Sequence, residues 1–252
     1  MVQLDDLHRR ILGAELDSSP PGGAAKAFLL VHTPFANAEI APQTALMTAD
    51  AAPDPDAYAE VLQQSWNCPG AQDLLRGGLA TCLVAEMMAR HLSPPDRATL
   101  FHGVLQAVVE VTAPDALVFK HAQQVIAPAD YLAACADKEP ILRPGSLNVR
   151  FFNISDSDGD MIMDTRGLEE VGLHDLQCHF RDLVPDDVAR LLYNTGVYIF
   201  QRGPVIESGH TIEGTEPGSK WRCQFENSLL DPRREVLDLD PGPPYAAGNR
   251  AG

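Results

Sequence analysis

The sequence predicts an α+β fold: mixed and antiparallel sheets with a few packed helices, in two sheet-bearing halves of one compact unit. Three observations carry this expectation. Before Gly145, apolar runs of strand length alternate with helix-start signals. From Leu147 to about Asp240, period-2 patterns and tight turns recur more densely than elsewhere. At 252 residues, 45% hydrophobic and 21% charged, the chain has enough apolar material for a real core.

In order, residues 1–23 read as a lead-in. Leu4, Leu7 and Ile11 are spaced for a short helix over 2–13, and Asp17-Ser18-Ser19-Pro20-Pro21-Gly22-Gly23 forms a linker. Residues 24–145 form the α/β half. Ala27–His32 is a buried strand, and 33–54, rich in Ala, Pro and Asp, is loop. Asp54-Pro55-Asp56 caps a helix that runs to about Trp66, with Tyr58, Val61, Leu62 and Trp66 near its inner stripe. Residues 77–87 suggest a second central strand, with a helix as the competing assignment. Ser93-Pro94-Pro95-Asp96 opens the clearest helix, on which Leu100, Phe101, Val104, Leu105, Val108 and Val109 make a broad apolar face. Ala116–Phe119 is a short strand, and Pro128-Ala129-Asp130 starts a brief helix to Cys135.

Residues 146–250 form the strand-rich half. Asn148–Ser155 and Met161–Thr165 flank Asp156-Ser157-Asp158-Gly159-Asp160 as a hairpin. Leu176, Cys178 and Phe180 alternate with Gln177 and His179, as in a half-buried strand. Pro185-Asp186-Asp187 opens a helix with Val188, Leu191 and Leu192 inside, ending at Asn194-Thr195-Gly196. Val197–Phe200 and Pro204–Ile206 then read as a second hairpin, and Lys220–Glu226 and Val236–Leu239 complete the sheet.

The dispersed residues Asn148-Val149-Arg150-Phe151-Phe152-Asn153, Met163-Asp164-Thr165-Arg166-Gly167-Leu168, Gln177-Cys178-His179-Phe180 and Leu192-Tyr193-Asn194 form a recognisable pattern. Gly209-His210-Thr211, Trp221-Arg222-Cys223 and the tail from Tyr245 to Arg250 extend it. With Arg97–Phe101 and Pro128–Leu132 upstream, residues 78–250 resemble the bacterial proteins grouped as domain of unknown function 4261. The resemblance implies a domain type and no catalytic residue. Residues 1–76 match it weakly.

Charge narrows the function classes. The formal net charge is -16; divided at Gly145, the chain has 17 acidic against 9 basic residues before and 18 against 10 after. An evenly spread negative field disfavours nucleic acid and anionic membrane surfaces and suits a basic protein partner. The N-terminus is acidic, without an apolar signal core, and no apolar run approaches a membrane span. The five cysteines, odd in number and widely spaced, read as reduced thiols of a cytoplasmic protein.

Chemical signatures are sparse. The Asp156–Asp160 loop places its glycine two residues early for an EF-hand, and position twelve is Gly167, so a hairpin turn is expected. His174, Cys178 and His179 lack paired zinc-ligand spacing and read as packing residues, with no metal. There is no Gly-x-Ser-x-Gly elbow and no phosphate-cradling glycine loop, so no cofactor is expected. Cys223 shares a strand face with Trp221 and Phe225 and reads as buried. The polar set Asp164, Arg166, His210, Arg222 and Glu226 has two readings. One is a solvated face with cross-strand ion pairs. The other is a polar groove for a small molecule or peptide terminus. The leading expectation is a non-catalytic interaction or regulatory protein. The alternative is a small-molecule binder or hydrolase-like enzyme using His210, Asp164 and Glu226 as acid/base groups.

Overall fold

The computed structural model describes residues 15–17, 27–32, 43–49, 54–66, 68–77, 80–136, 142–155, 157 and 159–248. The expected helix over 2–13, residues 18–23 of the linker, Asp156 and Asp158 of the aspartate turn, and Asn249-Arg250 lie outside them. Strands and helices together make an α+β protein of two units: residues 1–120 with 124–144, and residues 121–123 with 145–252.

In the first unit, β1 (Glu15–Asp17), β2 (Ala27–His32), β3 (Gln43–Ala49) and a later strand form one antiparallel sheet. Two expectations change here. Asp17 belongs to a strand, and β3 occupies part of the expected loop 33–54. The Gln43–Ala49 segment has little periodicity of its own; it is held as a central strand by pairing on both sides.

A 3-10 turn over Pro55–Tyr58, capped by the Asp54 carboxylate, leads into α1 (Ala59–Gln63). The helix stops short of Trp66, which is 64% exposed. The Ser65 hydroxyl donates to the Val61 carbonyl at 2.6 Å and accepts from the Val125 amide at 2.8 Å, drawing the chain out of the helix. After α2 (Ala71–Gly77), β4 (Thr81–Met87) closes the sheet as an edge strand, not the central one expected. Leu83 is accordingly exposed.

The expected long helix is α3 (Pro94–Thr112), capped by Ser93 and stopped by Ala113 in the left-handed region. It packs with the hairpin of β5 (Leu117–Phe119) and β6 (Gln124–Ile126), and with α4 (Pro128–Ala136). Alternation along β6 serves two cores. Ile126 joins Leu105, Val109 and Tyr131, while Val125 joins Val61, Ala71 and Leu75.

The second unit holds β7 (Asn148–Asn153), β8 (Met161–Arg166), β9 (Asp175–Phe180), α5 (Pro185–Arg202), β10 (Thr211–Glu213), β11 (Lys220–Asn227) and β12 (Glu235–Asp240). Its sheet order is β10-β11-β12-β9-β8-β7, with β12 parallel to β9 and the other pairs antiparallel. The expected hairpin of β7 and β8 is present. The second expected hairpin, Val197–Phe200 with Pro204–Ile206, is not: α5 continues through Gly196 to Arg202.

Gly196 reads as a stop in sequence, yet it is a point of close approach. A Cβ there would stand 2.8 Å from Leu147 Cδ2 and 3.6 Å from Leu168 Cδ1. One sheet face, with Met163, Leu176, Cys178, Phe180, Trp221, Cys223, Leu237 and Leu239 buried, supplies the core beneath the helix residues Val188, Leu192 and Ile199.

Gly167, just after β8, has φ +120°, and a Cβ would collide with the Ser146 carbonyl oxygen. Gly167→Ala is expected to cost at least about 2 kcal/mol, since strained backbone and steric clash add. Urea unfolding followed by the emission of buried Trp221 measures it.

Candidate functional site

The opposite face of the second sheet carries polar residues at the same parity. Register sets Arg150, Asp164, Gln177, Asp238 and Gln224 in one row across β7, β8, β9, β12 and β11. Arg166 and Asp175 stand beside that row on β8 and β9. The half-buried pattern expected for β9 is therefore wrong. Asp175 and Gln177 are as fully enclosed as Leu176 and Cys178 on the other face.

The row is a closed ion-pair and hydrogen-bond network. The Arg150 guanidinium grips Asp164 at both oxygens, Nε to Oδ1 at 2.8 Å and Nη2 to Oδ2 at 2.5 Å, a fork-to-fork geometry. Arg234 Nη2 reaches the same Oδ2 at 2.8 Å, and its Nε reaches Asp175 Oδ2 at 3.3 Å. Asp175 Oδ1 accepts from the Thr165 hydroxyl and the Leu168 amide. Gln177 Oε1 accepts from the Leu229 amide at 2.7 Å, while its Nε2 donates to Glu226 and Asp238. Arg150 further donates to Gln123 and to the Asp231 carbonyl, and lies over the Phe152 ring. Arg150 reaches from β7 to the Asp231 carbonyl in the connection between β11 and β12, and Arg234 reaches from that connection to Asp164 and Asp175, so the network fastens the loop onto the sheet.

Burial pushes the Asp175 carboxyl up to about 6, against the pull of Arg234 and then Arg166. Burial and the neighbouring Arg234 cation lower the Arg166 pKa from its usual value. Arg166 Nη1 makes no hydrogen bond and stands 3.7 Å from Glu169 and 4.0 Å from Asp175. With its pKa raised on folding, Asp175 favours the folded state at low pH. Its contribution is present below about pH 4 and is lost as pH rises through about 6, on the order of 2 kcal/mol. Asp175→Asn is expected to remove that pH dependence; urea midpoints at pH 4 and pH 7 measure it.

The five polar residues singled out from sequence do not converge. Asp164 and Arg166 are buried in the network and are not a solvated face. Glu226 touches its margin through Gln177. Arg222, opposite Thr211 and Asp240, is exposed. His210 is exposed beside β10, with Nδ1 accepting the Glu207 amide at 3.2 Å. Four strand spacings separate β10 from β8, about 19 Å. His210 and Asp164 therefore cannot act as an acid–base pair on one substrate.

Sequence reasoning missed Arg150, Asp175, Gln177, Arg234 and Asp238. For Arg150, Asp175 and Asp238 the signal was same-parity polar residues on neighbouring strands, readable only once register is known. Gln177 shares that parity without charge, and Arg234 lies in the loop before β12, where no strand pattern marks it. Cys223 is buried as expected, and burial with nearby Asp238 pushes its thiol up to about 11. Cys178 lies in the apolar core, while His179 on the other face sits against Gly248 and 3.9 Å from Asp160.

A second feature is concave. A groove of about 660 Å³ runs between the α5 residues Asn194, Thr195 and Tyr198 and the segment from Gly209 to Glu213, with Val205 and Ile206 in its lining. Among the described residues no helix is long and apolar enough to cross a membrane.

No curated protein and no solved structure matches the chain. The match to a family model is narrower than the pattern over 78–250, running from Asp164 on β8 to the end of β12 and leaving out Arg150 and Gln123. Residues 164–240 are similar to the domain of unknown function DUF4261.

Proposed function

We propose that the chain is a non-catalytic interaction protein of the cytoplasm that holds a basic segment of a protein partner. One observation carries this reading. The buried carboxylates and guanidinium groups neutralise one another within the network, whereas the groove beside β10 is open and is lined by hydroxyl and apolar side chains together with His210 and one carboxylate, Glu213. The excess of 18 acidic over 10 basic residues after Gly145 favours a cationic occupant. All five cysteines are free thiols, which suits a reducing compartment.

The test is capture on the immobilised full chain from a native extract, followed by mixing of purified components. A stoichiometric protein complex that weakens with rising salt is expected. A retained metabolite with turnover, and no stoichiometric protein, would overturn the reading in favour of a small enzyme.

A further inference from the structure

We infer that the groove takes an extended basic segment of the partner as an added strand on β10; this rests on the reading of the chain as an interaction protein. Among the described residues β10 is an edge of its sheet, with β11 its one neighbour. The bonds to β11 fall on alternate residues. Cys223 N–H donates to the His210 carbonyl at 2.8 Å, and Gly214 N–H donates to Ser219 at 3.1 Å, with Ile212 level with Trp221 between them. By antiparallel alternation, Thr211 and Glu213 direct their N–H and C=O groups away from β11.

That outward edge belongs to the groove wall, and α5 forms the other wall with Asn194, Thr195 and Tyr198. An unpaired edge facing a helix lets main-chain hydrogen bonds supply affinity and wall pockets receive alternate side chains. Thr211-Ile212-Glu213 contains no lysine or proline, and the bulge in which Gly209 and His210 both bond to Cys223 lies before it, so Thr211 and Glu213 keep their outward groups. His210 adds a donor. Because Nδ1 accepts the Glu207 amide, the neutral ring carries its proton on Nε2.

Charge selects the occupant. Two copies of β10 paired antiparallel about Ile212 bring together two chains of net charge -16. A basic segment instead meets exposed Glu213 and an acidic unit.

The experiment selects random linear display peptides on the full chain, then measures synthetic versions by calorimetry. Basic peptides with alternating apolar residues are expected. N-methylation of backbone amides at every second position should weaken binding about tenfold, while the intervening positions are tolerated. Thr211→Pro deletes an outward N–H while leaving the β11 ladder intact, and is expected to weaken binding about tenfold. Its unfolding midpoint reports whether the fold is kept, and if it is not, the methylation series on the natural chain decides alone. Affinity indifferent to methylation parity, or no peptide selected, overturns the inference. So does a concentration-dependent dimer that Thr211→Pro abolishes, which would assign the edge to a second copy. A captured protein whose binding Thr211→Pro leaves unchanged keeps the interaction reading and removes this site.

Discussion

Replacing Asp164 with alanine is expected to destabilise the second unit by about 3–5 kcal/mol, the usual consequence of stranding a buried charge. Asp164 is fully buried and holds Arg150 at both oxygens and Arg234 at one. Its removal leaves two guanidinium groups, each about as enclosed as the core, with their strongest acceptor gone. Replacing the pair together, Arg150→Met with Asp164→Leu, removes one cation along with the anion and is expected to cost less than Asp164→Ala alone. Urea unfolding followed by Trp221 emission measures both. Arg222→Ala, at an exposed position on the same sheet face, serves as the control and is expected to stay within about 0.5 kcal/mol. An Asp164→Ala protein as stable as the parent, with full loss of partner binding, would make the network a recognition site and not a fastening.

Acidification is expected to loosen the first unit below about pH 6.5 through His102. The imidazole is buried in α3, with Nδ1 2.9 Å from the Tyr131 hydroxyl, and its ring stacks on Tyr131 and Phe119. Burial, with Arg143 nearby, lowers its pKa to about 3. Burial likewise raises the Tyr131 phenol, so both partners stay neutral across the physiological range.

The sign follows from the lowered value. Above pH 6.5 neither state binds the proton. Below it the unfolded chain does and the folded one does not. Stability then falls by about 1.4 kcal/mol per pH unit, reaching about 3 kcal/mol by pH 4. His102→Gln is expected to be less stable at neutral pH and to show a flatter acid limb. Amide hydrogen exchange in α3 from pH 7 to pH 4 measures it. The Asp175 effect runs in the opposite direction and belongs to the second unit, so the two variants separate the contributions.

What was legible in the sequence is what local chemistry determines. Ser93-Pro94-Pro95-Asp96 caps α3 because the serine oxygen meets the Asp96 amide, a bond made within four residues. The hairpin of β7 and β8 and the burial of Cys223 beside Trp221 follow from period-2 alternation. The α+β class itself needs no more than these rules.

Tertiary structure decided the rest, where the cause lies far along the chain. Gly196 has the appearance of a helix stop, but Leu147 and Leu168 need its missing Cβ, so α5 runs on and the second hairpin never forms. β3 has weak propensity and exists because β2 and β4 hydrogen-bond to it on both sides. Asp164 and Arg166 look like a solvated face when read along one strand. Cross-strand register places Arg150 opposite Asp164, and the loop after β11 brings Arg234 over them, converting a row of polar residues into buried, mutually neutralising pairs. A single strand's pattern fixes which side chains share a face. Only the assembled sheet determines what covers that face.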